Sequence, residues 1–528
     1  MKKTIVVNLF GGPGTGKCFG RNTEVLMYDG TIKYIQDIKI GDIVMGDDST
    51  PRKVLNTHRG TSKLYELVVN KNDNLIVSDN HILCLARQKR NDRKGVRTWV
   101  NIDISIEDYL DASKKFRETS KLYQVPVRYP EKELGIDPYY LGLWLGDGLS
   151  ESITRFCSAD NEIVQWCTNY ANKLGITLKQ HSYKTNTKCQ TYCFSEGNIG
   201  FHSNHPIAKY DNIYKLTGNK HIPLDYLTSS EEQRLQLLAG LVDSDGYVKN
   251  NYIEITQKNL ILADDIMRLC CSLGMNAYKR IVYKKSQTMD KDSKGNKYYI
   301  VSVSGDLTRI PTKLPRKTVI QQNKNKNPLH RGFKVNDYGV GEYFGIEIDG
   351  NQKFLLKNCM VVHNSTGAAY VFSMLKMQGI NVELVTEFAK DKTWESNFVA
   401  LSNQAYVFGK QYYKISRCAD QVDVIVTDSP LLLSTIYNNN PVLGETFNQT
   451  VLNVFNSYDN MNYVLNRVKP YNPIGRNQTE QESDDISKEI ISMLEDNNIN
   501  FEYKNGSLDG YSAIYTDVLK KVRGCDND

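Results

Sequence analysis

The sequence predicts a multidomain chain built from three kinds of fold. These are a split α/β domain with a parallel sheet, an all-β module set inside it, and an α+β module with a pseudo-two-fold repeat set inside that one. Three observations carry the prediction. The strand-like run TIVVNLF leads into the glycine-rich GGPGTGK, which breaks off after Lys17 and finds its continuation only at Ser365, at the head of an apolar segment with helical spacing. The residues after Lys17 alternate with period two around Asp29-Gly30, a hairpin signal. Two segments, YLGLWLGDGLS (140–150) and LLAGLVDSDGYV (237–248), repeat one another.

The break after Lys17 is informative chemically. A phosphate-binding loop reads G-x-x-x-x-G-K-[ST], and Gly11 to Lys17 supply all of it but the last residue, where Cys18 stands. A thiol does not replace the hard hydroxyl that this position offers to Mg²⁺. The hydroxyl is found at Ser365, followed by Thr366 and a helical pattern, and joining Lys17 to Ser365 gives GGPGTGKSTGAAY, a complete loop feeding a helix. Cys18 to Asn364 therefore reads as an insert.

The edges of the insert suggest how it leaves. It begins with Cys18, ends with His363-Asn364, and is followed by the nucleophile Ser365. A Cys18 thiolate can attack the carbonyl of Lys17 and turn an amide into a thioester. Ser365 can take over that acyl group, the Asn364 side-chain amide can cyclise on its own carbonyl to free the insert, and His363 can serve as acid or base. This set resembles an intein, a self-splicing insert, over the whole of Cys18 to Asn364. The segment NLIVSDNHILCL resembles the second splicing block of that family, which implies that Ser78 and His81 polarise the first scissile amide; most members have Thr where Ser78 stands. YFGIEIDGNQKFLLKNCMVVHN resembles the last block, with Gln352 where many members carry an assisting His. The resemblance implies a horseshoe-like all-β splicing (Hint) fold that brings both junctions together. The runs EVLMYDGTIKYIQDI and IKIGDIVMG supply strands for it.

The repeated segments both resemble the LAGLIDADG signature of homing endonucleases. Gly142 and Gly146 in one copy, and Ala239 and Gly240 in the other, give helix faces smooth enough for close approach. Two such helices side by side bring Asp147 and Asp245 together, where they can hold Mg²⁺ between two scissile phosphates. The resemblance also implies a Lys near each metal site, and NKHIPLDYL and TKLPRKTV make Lys220 and Lys313 the candidates. A double-stranded DNA target, read by a pseudo-symmetric monomer, follows from the same family. The net charge of +6 and the basic stretch from Lys313 to Lys334 suit such a partner.

Composition sets the outer bounds. With 40% hydrophobic and 24% charged residues the 528-residue chain has an ordinary globular composition, long enough for about three domains. No stretch reaches membrane-spanning length, and the basic, apolar start MKKTIVVNLF runs into the phosphate loop rather than a cleavage site. Eleven scattered cysteines without paired metal-ligand spacing point to a reducing cytoplasm.

The flanks join into one α/β domain. NVELVTEFAKD reads as a strand ending in Glu387, VDVIVTDSP as a buried strand ending in Asp428, and MNYVLNRV leads into a Pro/Gly-containing loop with Arg467 and Arg476. Carboxylates at strand ends suit a nucleotide crevice. The arrangement resembles small P-loop nucleoside and nucleotide kinases, including nicotinamide riboside kinase-like ATPases, with a mobile lid whose arginines stabilise the transferring phosphoryl group. VTDSP lacks the Arg of their Asp-Arg-Ser type motif. The resemblance implies that Gly11, Gly12, Gly14, Gly16, Lys17, Ser365 and Thr366 bind ATP after splicing, that Ser365 and Asp428 hold Mg²⁺, and that Glu387 meets a nucleoside or nucleotide acceptor.

The expected division is 1–17 and 365–528 for the host, 18–129 and 319–364 for the splicing domain, and 130–318 for the endonuclease. Two alternatives stand beside this reading: a fusion that cuts DNA without splicing, or a host acting as a plain ATPase or nucleotide-binding switch. A chain in which both motif sets are degenerate and only DNA binding remains is a third.

Overall fold

A computed structural model describes residues 3–10, 18–79, 81–90, 97–181, 189–196, 205–249, 252–284, 295–320, 327–363, 367–385, 387–389, 398–466, 480–506 and 508–524. The strand Ile5–Phe10 is buried along its whole length, because it lies in the middle of a five-stranded parallel sheet. Across that sheet the order is Val382–Val385, Val424–Thr427, Ile5–Phe10, Asp459–Asn466 and Glu502–Asn505. A parallel sheet needs cover on both faces, and the alternation of the central strand provides for it. Ile5, Val7 and Leu9 pack with helices Gly367–Met377 and Leu508–Arg523. Val6 and Phe10 pack with helices Gln404–Ala419, Gly444–Asn456 and Glu480–Asp496. The polar Asn8 between them is satisfied across the strands, its Nδ2 donating to Asn460 Oδ1 at 2.9 Å and to Asn462 Oδ1 at 3.0 Å. Segments before and after the insert thus share one core.

The insert forms structure of its own. Phe19–Gly20, Leu75–Ser78, Pro51–Val69 and Phe333–Ile348 pair antiparallel in a closed circuit, the last two running together from Val54↔Ile348 to Val69↔Phe333. Phe19, Val44, Val77, Leu83, Ile346 and Phe354 fill its interior. The Asp29-Gly30 hairpin forms as expected between Glu24–Leu26 and Ile32–Tyr34, with Gly30 at φ 85°, a left-handed conformation open to glycine.

Residues 138–304 contain the repeat. Helix Pro138–Asp147 starts with Pro138 behind an Asp137 cap that accepts from Tyr139 N at 2.9 Å; helix Glu231–Asp245 starts with a Ser230–Gln233 capping box. The first is followed by a strand, a helix and two more strands, and the second by the same set with an extra strand, Gly246–Lys249, ahead of it. The sheet order 155–158, 190–195, 177–181 in the first half matches 252–257, 296–304, 276–284 in the second. The hydrophobic core of this region does not stop at its edges: Leu26, Met45, Cys84, Ala86, Tyr123, Leu355, Cys359 and Val361 of the all-β part belong to the same buried cluster as the two signature helices.

Candidate functional site

The first junction is assembled by strand pairing. Phe19 lies opposite Val77, which sets Ser78 beside Cys18. Ser78 Oγ accepts from Cys18 N at 3.1 Å and lies 3.3 Å from Cys18 O, to which it can donate, while Ser78 N donates to Cys18 O at 3.0 Å. Cys18 N is the nitrogen of the Lys17–Cys18 peptide, so the hydroxyl sits on the amide that the sequence marks for attack. A tight turn, with His81 N donating to Ser78 O at 3.0 Å, returns the His81 ring edge-on to Phe19 at 4.7 Å. Cys18, Ser78 and His81 are each 1% exposed or less, so water is largely kept from this amide.

The second junction approaches from the other end of the insert. Strand Val361–His363 pairs with Lys353–Leu355, and Phe354 of that hairpin packs edge-on against Phe19 at 5.7 Å. His363 is buried there. Gln352, at the place of the family's assisting His, is also buried, with φ 62° and its Nε2 donating back to Ile348 O within its own turn. Asn364, Ser365 and Thr366 lie outside the described residues, as do Gly11, Gly12, Gly14, Gly16, Lys17, Arg467 and Arg476.

The two signature helices meet backbone to backbone. A Cβ on Gly142 would lie 2.1 Å from Leu237 O, and one on Gly240 would lie 2.1 Å from Tyr139 O, a reciprocal pair that expresses the pseudo-two-fold axis. Gly146 is equally close to Ser244. The helices end in Asp147 and Asp245. Burial, and then the charge of Asp245, push the Asp147 carboxyl up to about 6; burial also raises Asp245, against a hydrogen bond from Gln257 Nε2 at 2.7 Å and the charges of Lys220 and Lys317.

Lys220 stands where expected. Its ammonium donates to the carbonyls of Trp144 at 2.9 Å and Gly148 at 2.7 Å, closing the end of the first helix. Burial lowers it to about 8. Lys313 does not do the same for the second helix. Its ammonium lies over the Tyr139 ring at 5.4 Å, and Lys317 takes the expected place, donating to Val242 O at 2.9 Å, Asp243 O at 2.7 Å and Ser244 O at 2.9 Å. The short helix Pro315–Lys317 turns Lys317 inward. Gln257 was also not singled out from sequence; its counterpart by sheet register is Ser158, since Gly246↔Ile255 repeats Gly148↔Phe156.

Asp147 and Asp245 fit a divalent cation. Both are oxygen donors whose proton affinity is raised by burial, so a hard cation relieves a charge that the fold otherwise disfavours. Among the described residues no group of three or more His, Cys, Asp or Glu gathers that could hold a metal ion by itself. In the parallel-sheet domain, Asp428 follows the strand Val424–Thr427, directly beside the central strand through Asn8↔Thr427. Glu387 lies just beyond Val382–Val385.

Comparison with known proteins agrees with this geometry. Residues 18–96 match the Hom_end-associated Hint family and residues 232–309 the LAGLIDADG-like domain. The chain carries both a Hint domain and a LAGLIDADG-like domain. Together these support an intein with a homing endonuclease. Among curated proteins, the chain is 34% identical over 146 residues to the replicative DNA helicase DnaB of Mycobacterium intracellulare, covering 28% of this chain and 20% of that one. It is 27% identical over 280 residues to the ATP-dependent DNA helicase Hel308 of Thermococcus kodakarensis, covering 47% and 23%. It is 25% identical over 255 residues to the homothallic switching endonuclease of Saccharomyces cerevisiae, covering 43% and 44%. The chain thus spans less than half the length of each. Among solved structures it is similar to variants of the homing endonuclease I-DmoI (15% identity, TM-score 0.21, 32% of this chain and 88% of that one) and to the gp41-1 intein (19%, 0.13, 17% and 81%). Among the described residues no helix is long and apolar enough to cross a membrane.

Proposed function

We propose that the chain is a self-splicing precursor: the insert Cys18–Asn364 excises itself and joins Lys17 to Ser365, the insert is a site-specific double-strand DNA endonuclease, and the joined host is an ATP-binding, P-loop kinase-like protein. The observation that carries the splicing reading is the pair of hydrogen bonds between Ser78 and Cys18. In a buried site Ser78 Oγ polarises the Lys17–Cys18 amide through the bond from Cys18 N, Ser78 N holds the next carbonyl, Cys18 O, and His81 can protonate the departing nitrogen as the Cys18 thiol attacks the Lys17 carbonyl. Ser365 Oγ then accepts the acyl group, Asn364 cyclises with His363 carrying the proton, and an oxygen-to-nitrogen shift leaves an ordinary peptide bond.

The endonuclease reading rests on Asp147 and Asp245 at the ends of the closely packed helices. These two carboxylates would hold Mg²⁺, which when bound supplies a Lewis acid for phosphodiester hydrolysis. Lys220 and Lys317 place positive charge next to the site, where it favours the anionic substrate. Gln257 orients Asp245 through its hydrogen bond.

The host reading draws on the central position of Ile5–Phe10, whose carboxyl end enters the glycine-rich run, and on Asp428 beside it. Gly11, Gly12, Gly14, Gly16, Lys17, Ser365 and Thr366 would hold ATP, Ser365 and Asp428 its Mg²⁺, and Arg467 and Arg476 the transferring group, in a cytoplasmic protein. Ser365 then serves twice, so the phosphate site is complete only after the insert leaves.

Expression of the full chain followed by mass analysis tests the reading. Splicing resolves the 60.2 kDa precursor into products of about 40 and about 20 kDa, by share of chain length. The smaller product carries Lys17 bonded to Ser365. A chain that stays intact under reducing conditions refutes splicing and leaves a permanent endonuclease fusion.

A further inference from the structure

The position that assists the second junction in related inteins is occupied here by a residue with another task. Gln352 is turned into its own loop, its amide bonded to Ile348 O and its backbone left-handed at φ 62°. The next residue, Lys353, lies opposite His363 instead. Lys353 is the register partner of His363, and partners opposite one another in an antiparallel pair project from the same face. That face is the one carrying Leu355 and Val361 into the core shared with the signature helices, whereas Phe354 and Val362 point to the interior of the all-β part.

The Lys353 ammonium is held 2.9 Å from Asp103 Oδ2, with side chains only 17% and 26% exposed. Asp103 itself is fixed in the strand Arg97–Ser105, opposite Cys84. A desolvated ion pair adds little stability over apolar residues of similar size, so its place beside His363 asks for another explanation. An ammonium has three N–H donors, and among the described residues Asp103 is its hydrogen-bonding partner.

We propose that Lys353, held by Asp103 and in register with His363, supports the C-terminal splice step electrostatically. The inference rests on the splicing reading. In that step Asn364 Nδ2 attacks its own main-chain carbonyl carbon and forms the ring C–N bond. The bond from that carbon to the Ser365 nitrogen breaks. Nδ2 gives up one proton, the leaving nitrogen gains one, and His363 carries it between them. Negative charge gathers on the carbonyl oxygen meanwhile, and a cation held in register with His363, the residue before Asn364, would favour it.

The two ends of the insert can be assayed separately in the full chain. Thiol-induced release of residues 1–17 reads the N-terminal step, and release of the segment after Asn364 in a Cys18→Ala background reads the C-terminal step. Lys353→Met is expected to slow C-terminal release on the order of tenfold to a hundredfold, with thiol-induced release unchanged. Lys353→Arg is expected to restore most of the rate, and Asp103→Asn to fall between. Equal slowing of both releases by Lys353→Met marks a merely structural residue and overturns the proposal, as does an unchanged C-terminal rate. If the parent chain shows neither release, the splicing reading fails first, an outcome distinct from a parent that cleaves and a Lys353 variant that cleaves as well.

Discussion

Gly142→Ala tests whether Asp147 and Asp245 are brought together by backbone contact. A Cβ on Gly142 would lie 2.1 Å from Leu237 O and 3.0 Å from Leu241 N. Both obstacles are main-chain atoms, so no side chain can rotate away, and even a tight contact requires the helices to separate by about 1 Å. Alanine gains about 1 kcal/mol of helix propensity over glycine. Overpacking a filled core costs about 1–3 kcal/mol, and a backbone obstacle selects the upper end, leaving a net loss of about 2 kcal/mol. The assay is urea denaturation of the Cys18→Ala chain followed by tryptophan fluorescence, to which Trp144 and Trp166 of the LAGLIDADG-like part contribute two of the four tryptophans. DNA cleavage is measured in parallel and falls as Asp147 and Asp245 move apart. Gly409→Ala is the control: it is a solvent-facing glycine within helix Gln404–Ala419, with nothing within 4 Å of its Cβ, and gains about 0.5–1 kcal/mol. Gly240 meets Tyr139 O at 2.1 Å and Leu143 N at 2.6 Å along the same seam, so the double variant loses less than the sum of the two single ones. A Gly142→Ala chain as stable as its parent, with full cleavage, refutes the backbone contact.

Three further predictions follow from the sites. Ser78→Ala removes the hydroxyl on Cys18 N and slows thiol-induced release of residues 1–17 by on the order of a hundredfold, measured by mass; an unchanged rate contradicts the role given to it. Lys317→Met abolishes most DNA cleavage, whereas Lys313→Met leaves it within about threefold in a plasmid linearisation assay, and the reverse order would restore Lys313 to the site. Burial, and then the charge of Arg331, lower His330 to about 4 from an ordinary 6.5. The folded chain therefore binds fewer protons than the unfolded one between these values, and stability present above pH 6.5 is lost as pH falls toward 4. With the ring partly exposed the loss is on the order of 2 kcal/mol. His330→Phe flattens that part of the pH–stability curve, and an unaltered slope counts against the assignment.

Local features of the fold were legible in the sequence. Asp29-Gly30 forms its hairpin, and VDVIVTDSP contains a buried strand, Val424–Thr427, just before Asp428. The helix after the broken loop runs as Gly367–Met377, and the glycines of the repeated signatures sit at the helix contact they were expected to serve. These signals are periodicity and steric need, which depend on neighbours in the chain. Lys317 was not legible for the opposite reason. Lys313 precedes Pro315 much as Lys220 precedes Pro223, so motif likeness favoured it, yet a short helix decides which side chain turns inward. The pairing of Lys353 with His363 depends on turns at Gly350, Gln352 and Cys359, all with positive φ, and register through such turns cannot be counted off from spacing. The ends of strands were approximate too: NVELVTEF was expected to run to Glu387, and the strand stops at Val385.

The shared core bears on how such an insert can age. Leu355, Cys359 and Val361 of the hairpin that carries His363 are buried in one apolar cluster with Tyr140, Leu141 and Leu241 of the LAGLIDADG-like half. Losing that half by a simple deletion would lay bare the back of the hairpin that positions His363, and a newly wetted apolar patch invites aggregation. A shorter descendant of this chain therefore has to repaint that surface with polar residues before, or together with, the loss of its LAGLIDADG-like half. Until then the Hint and LAGLIDADG-like parts are inherited as a single mechanical unit.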